Sequence, residues 1–205
     1  MSAPLYGDLA TVKSMLGISD TARDTLITNA LTSASRAIDR RTGRRFYADG
    51  VTSQRIYRPE RREAWYVSGG MVIVDDISTT TGLIIEEGYQ GYTGSPVGTF
   101  TDISNDFVLS PENALALGFP ITGLQRAIGV IQDPYILLRV TANWGWPAVP
   151  DEINLAAELL AERLYRRKDS PEGFVGTSEW GARNVVRIDP DVEMMIGPYM
   201  RAGWA

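Results

Sequence analysis

Apolar side chains recur at helical spacing at both ends of the chain and at strand spacing in its middle. Leu9, Val12, Met15 and Leu16 share one face of a short predicted helix, with Asp8 as its N-cap and Gly17 as its stop. A second, stronger helix follows from the capping candidates Ser19, Asp20 and Thr21. Its buried stripe is Ile27, Ala30, Leu31, Ala34, Ala37 and Ile38. Gly43 is suited to the C′ position, and Arg40 and Arg41 lie where cations meet the negative end of the helix dipole. Ala30, Ser33, Ala34 and Ala37 are small enough to let another helix approach closely.

From about Thr52 to Trp146 the pattern changes to short strands between turns. Ser53–Tyr57, Ala64–Val67, Met71–Val74, Gly82–Glu86, Asp106–Leu109 and Tyr135–Asn143 are the predicted strands. The last places Ile136, Leu138 and Val140 on one face. The stretch from Glu87 to Asn105 has glycines but no apolar period, which predicts a long exposed loop or hairpin tip. Tyr89, Tyr92 and Phe100 sit on it as candidates for docking, or for packing against the sheet.

Asp151 to Lys168 is the clearest helix. Pro150, Asp151 and Glu152 stand at its start, Arg163, Arg166, Arg167 and Lys168 at its end, and Ile153, Ala156, Ala157, Leu160 and Leu164 form its apolar stripe. After a glycine-rich stretch to Trp180, Asp189-Pro190 opens a last short helix with Val192, Met195 and Ile196, ended by Gly197-Pro198. The expected fold is therefore α+β: an antiparallel bundle of about four helices with a β-rich insertion between the second and third main helices. All 205 residues form one domain, with N-terminal helices over 1–45, the β-rich part over 46–147, and C-terminal helices and tail over 148–205.

Composition narrows the function. The chain has no cysteine and no histidine, which removes disulfides, thiolate metal sites and the usual nucleophile–histidine machinery. Asp75-Asp76 and Glu86-Glu87 are paired carboxylates, but neighbours in a strand point to opposite faces and cannot converge on one atom. Gly69-Gly70 lacks the following Lys-Ser/Thr of a phosphate loop. The expectation is no enzyme, no cofactor and no metal. No apolar run approaches the roughly 20 residues of a membrane helix, and the N-terminus lacks the pattern of a secretory signal, so the chain reads as soluble and cytoplasmically made.

The net charge of −5 argues against a dedicated nucleic-acid binder, although 18 Arg stand against 2 Lys. Nine of those Arg fall between Arg36 and Arg62, interleaved with Phe46, Tyr47 and Tyr57. That cluster reads either as a surface tracking phosphates or as a helix end whose Arg36, Arg40, Arg41, Arg44 and Arg45 make ion pairs between subunits. Trp144 and Trp146 around Gly145, with Pro147 and Pro150 following, make a rigid strand-to-helix corner. Near the C-terminus, Met194, Met195, Ile196, Tyr199, Met200 and Trp204 place many apolar atoms on a short helix and tail, the composition of a docking segment.

Six stretches together resemble the head-tail connector, or head completion, proteins of tailed bacteriophages: DLATVKSMLGI, ALTSASRAIDRRTGRRF, VDDISTTTGL, NWGWPAVPDEI, AAELLAERLYRRKDSPEGFVG and DPDVEMMIGPYMR. The resemblance spans most of the chain, with a larger β-rich block than the simplest, nearly all-helical members have. It implies a structural virion adaptor that assembles as a closed dodecameric ring under the portal at one capsid vertex, after synthesis in the host cytoplasm. It further implies that the portal binds one face and that a stopper or tail-terminator protein binds the other; the composition of the C-terminal segment makes that segment the candidate for docking on the portal. Double-stranded DNA would pass through the lumen during packaging and ejection without sequence-specific contacts, and no membrane is involved. An acidic chain suits that lumen, because like charge keeps DNA from sticking. Two other readings stay open: a DNA-binding protein using Arg36–Arg62, and a carboxylate-dependent enzyme.

Overall fold

A computed structural model describes residues 3–58, 66–67, 71–91, 94–127, 136–167 and 189–201. The chain divides into two compact units, one formed by Met1–Arg44 with Val149–Ala205 and the other by Arg45–Ala148.

The first unit is helical. Its elements are α1 (Leu9–Leu16), α2 (Asp24–Thr42), α3 (Asp151–Arg167) and α4 (Pro190–Ile196), followed by a 3-10 turn at Gly197–Tyr199. The Asp8 side chain accepts from the Thr11 amide and caps α1, and Gly17 closes it in the left-handed conformation. The last turn of α2 ends the same way at Gly43. Val12, Ile27, Leu31, Ala34, Ile38, Ile153, Ala156, Ala157, Ala161, Val192 and Ile196 are buried. The alanines are what let α2 and α3 pack closely along their length.

Among the described residues the second unit is an antiparallel sheet of seven strands: β1 (Thr52–Tyr57), β2 (Tyr66–Val67), β3 (Met71–Gln90), β4 (Pro96–Asp102), β5 (Phe107–Ser110), β6 (Ile121–Arg126) and β7 (Ile136–Trp144). The order is β1-β7-β3-β6-β5, with β2 and β4 also pairing with β3. One face carries Val72, Val74, Ile77, Ile85, Leu124, Leu138, Val140, Ala142 and Trp144, and these form a core of their own.

The expected bundle with a β-rich insertion is corrected by this arrangement. The protein is mixed α+β, and its large antiparallel sheet is a compact body with an independent core rather than an appendage of helices. The physical reason lies in β3. Its 20 residues pass through register shifts between Ile73 and Ile77, Ile77 and Thr79, Thr79 and Ile84, and Glu87 and Tyr89. Each shift resets the alternation of inward and outward side chains, so a single long strand reads in sequence as fragments. Two of those fragments, Met71–Val74 and Gly82–Glu86, are parts of this one strand.

Candidate assembly surfaces

The Arg-rich end of α2 is mostly committed within the chain. Arg36 donates to the Pro4 carbonyl at 2.6 Å, pairs with Asp39 at 3.1 Å and lies over the Tyr6 ring. Tyr6 is fully buried, its amide donates to Ser35 Oγ at 3.0 Å, and its hydroxyl donates to Asp39 Oδ1 at 2.5 Å. The next two amides, of Gly7 and Asp8, donate to Asn154 Oδ1 and Glu158 Oε1 at 2.9 Å each, so the N-terminal segment bridges α2 and α3. Gly7 is required there: φ is +79°, and a Cβ would fall 2.5 Å from Glu158 Cγ. Arg41 grips Glu193 of α4 at 2.5 Å. Arg44 is partly buried at the end of the unit. In the sheet unit Arg45 pairs with Asp49 at 2.9 Å and lies over Tyr47, and Arg55 pairs with Asp75 at 2.6 Å. Arg61 and Arg62 fall outside the described residues. Of the five interface candidates Arg40 is the one that stands exposed with no partner among the described residues.

The C-terminal candidates separate in the same way. Val192 and Ile196 turn inward and are buried, whereas Met194 is 73% exposed. Met195, Tyr199 and Met200 are half-buried, and Trp204 lies outside the described residues. The Arg201 amide donates to the Thr42 carbonyl at 2.9 Å, tying the end of this segment to the end of α2. The Tyr199 hydroxyl donates to Glu152 Oε2 at 3.0 Å. Burial, and then the Glu152 carboxylate, push the Tyr199 phenol up to about 12. A group whose folded value is raised stabilises the fold below its ordinary value and ceases to do so above the raised one. The contact should therefore hold up to about pH 10 and be lost as the pH climbs through about 12. The difference in phenolate absorbance between the unaltered chain and Tyr199→Phe reads this directly, and a midpoint at the ordinary phenol value would refute it.

Between α2, α3 and α4 lies an open cavity of about 240 Å³. Its walls are Ala37, Ile38, Leu160, Leu164, Val192 and Ile196, and its rim carries Arg41, Arg163, Arg167 and Asp189. Arg41 and Arg163 are neutralised by Glu193 and Asp189, and the Asp189 carboxylate also caps α4 by accepting from the Asp191 amide. Arg167 is exposed and unpaired among the described residues. Nothing in the spacing of the sequence announces this cavity. Its walls come from segments more than a hundred residues apart.

On the sheet, Phe100 lies against Gly88, where a Cβ would sit 2.7 Å from the ring, and the Arg139 guanidinium stacks 4.0 Å from its centroid. Arg139 is held by Glu86 at 2.5 and 2.6 Å, which pulls the Glu86 carboxyl below its ordinary range. Phe100 is thus placed on the sheet. Tyr89 stays half exposed, opposite Val97 on β4 and Ile136 on β7. Tyr92 lies outside the described residues. Asp75 accepts from Arg55 and from the Tyr57 hydroxyl, and Asp76 accepts from Trp146 Nε1 at 3.0 Å. Burial, reinforced by Asp75, holds the Tyr57 phenol far above its ordinary range. Among the described residues no three carboxylates converge where a metal ion could sit, and no helix is long and apolar enough to cross a membrane.

Residues 6–85 match the model of the family described as phage gp6-like head-tail connector proteins. Over those residues the match agrees with the resemblance carried by the sequence motifs. No curated protein matches the chain in sequence. Among solved structures, the fold is similar to a chain in the neck of an empty gene transfer agent particle computed with C6 symmetry, with a TM-score of 0.52 at 17% identity. The alignment covers 98% of this chain and 95% of that one. A chain in the virion of a native gene transfer agent particle is similar over 100% of this chain and 97% of its own, with a TM-score of 0.50 at 17% identity.

Proposed function

We propose that the chain is a structural virion protein of the head-tail connector kind, one copy of a ring in the neck between portal and tail. The observation that carries this reading is the connector-family match over residues 6–85. The likeness of fold to a neck-particle chain, which runs nearly end to end in both proteins, supports it. That neck was computed with C6 symmetry, with which a dodecamer is compatible. The ring surrounds the DNA path, and a chain of net charge −5 repels the passing phosphates rather than retaining them. The portal binds one face of the ring, and a tail-completion protein binds the other. The exposed Met194 and the neighbouring Met195, Tyr199 and Met200 are the portal-side contacts. No catalytic step is assigned.

The competing use of the Arg36–Arg62 cluster as a DNA-tracking surface is disfavoured, because Arg36, Arg41, Arg45 and Arg55 are each paired with a carboxylate of the same chain. The test is a mass measurement on the purified protein with and without portal-containing heads. A ring mass, or ring density on the heads, is expected. Absence of the chain from assembled necks would overturn the reading.

Arg40 gives the sharper variant. It is exposed and without a partner among the described residues, so Arg40→Glu should leave stability within about 0.5 kcal/mol, as for ordinary surface changes. Ring assembly should weaken, because a head-to-tail ring brings different faces of the subunit together at each seam. Unchanged ring yield would remove Arg40 from the interface. Arg41→Glu is a poorer probe, since it also breaks the link from α2 to α4.

A further inference from the structure

A head-to-tail ring needs two unlike surfaces on one chain, each complementary to the other. The cavity of the helical unit is one candidate half. Its volume of about 240 Å³ lies below the roughly 300–1,000 Å³ typical of small-molecule pockets. It suits a bulky side chain or two. Its floor is aliphatic, and among the described residues the Arg167 guanidinium at its rim has no partner. The matching half would be a protruding apolar residue with a free carboxylate close by.

The sheet unit has such a protrusion between β5 and β6. Leu117 is 71% exposed at the end of a 3-10 turn, Phe119 beside it is half exposed, and Glu112 is exposed with no partner among the described residues. The turn is not a loose loop. Ala114 is buried in the sheet core and Leu115 packs against it. The Leu117 amide donates to the Asn113 and Ala114 carbonyls at 3.2 and 3.0 Å, and the Phe119 amide donates to the Ala114 carbonyl at 2.8 Å. A protruding side chain held this way loses little freedom on docking.

We propose that the cavity between α2, α3 and α4 receives the Leu117 turn of a second copy of this chain, with Glu112 of that copy facing Arg167 at the rim. The proposal rests on the ring reading above and names its seam. Complementarity is both apolar and electrostatic: a leucine enters an aliphatic floor, and a carboxylate meets a guanidinium, each without a partner among the described residues. Met194 is a poorer occupant. It sits on α4, which walls the cavity, next to Glu193, and that carboxylate already holds Arg41.

The absence of cysteine makes the test clean, because introduced thiols have no background. The double variant Glu112→Cys with Arg167→Cys, assembled into necks and treated with a short bis-maleimide, should give a ladder of cross-linked multimers on a denaturing gel. Neither single variant should give more than a dimer. Normally assembled necks in which the double variant runs as a monomer would overturn the seam and leave the ring reading intact. Leu117→Asp supplies an independent measure: its incorporation into necks should fall by about tenfold or more, while Leu117→Met is retained. Equal incorporation of both would also overturn the seam. If the unaltered chain is itself missing from necks, the ring reading fails, and the seam fails with it.

Discussion

Trp144→Ala should lower the stability of the sheet unit by about 3–5 kcal/mol, the range for removing a large buried aromatic. Trp144 is fully buried at the end of β7. Its indole Nε1 donates to the Ser53 carbonyl at 2.9 Å, the Arg55 guanidinium lies 4.3 Å from its ring centroid, and the Tyr57 ring packs 6.2 Å away. Alanine leaves a cavity, an orphaned β1 carbonyl, and an arginine without its aromatic platform. Arg55 and Tyr57 both contact Asp75, so the loss spreads into that hydrogen-bonded group. Urea denaturation checks the prediction. A variant that melts like the unaltered chain and fails only in neck assembly would make Trp144 a contact residue instead.

Ile196→Ala should cost roughly 2–5 kcal/mol, whereas Met194→Ala should stay within about 0.5 kcal/mol. The two residues lie two positions apart on α4, but Ile196 is 2% exposed and Met194 73%. A seven-residue helix is marginal by itself and survives by packing. Val192 and Ile196 supply that packing, together with the Arg41–Glu193 pair and the Asp189 cap. Loss of Ile196 also removes one wall of the cavity, so that variant should fail in assembly as well as in stability. Equal effects at the two positions, read from urea midpoints, would show that α4 does not dock as described.

The helices were legible because their signals are local. Asp8 and Gly17 bound α1, and α3 runs from Asp151 to Arg167 between its acids and its arginines. The start of α2 was less legible. The chain turns through Ser19–Thr21, where Asp20 accepts from the Ala22 amide, and the helix begins at Asp24, whose carboxylate pairs with Lys13 at 2.7 Å. In the sheet, β6 has no clean alternation, and Gly123 lies beneath the Met71 side chain, whose sulfur would be 2.9 Å from an added Cβ. β4 is largely exposed and polar, so it read as loop, yet it pairs with β3 from Glu86↔Asp102 to Gln90↔Pro96, with a register shift between Glu87 and Tyr89. Which arginines are committed was not legible at all. Arg41 finds its partner 152 residues away at Glu193, and no pattern in the vicinity of α2 distinguishes it from Arg40.

The two ends of the sheet unit meet at Gly145. Its φ of +113° and the 1.9 Å between an added Cβ and the Tyr47 carbonyl oxygen show how closely the backbones cross. Trp146 donates back to that carbonyl at 3.4 Å, and the Asp49 amide donates to the Trp144 carbonyl at 2.8 Å. This has a consequence for folding during synthesis. The sheet unit is continuous in sequence and can form as soon as it leaves the ribosome, whereas α2 must wait for α3. A chain entropy cost that grows as about (3/2)RT ln n would otherwise separate those helices. Once the sheet has folded, its first and last residues emerge side by side, and the long loop between α2 and α3 is already closed.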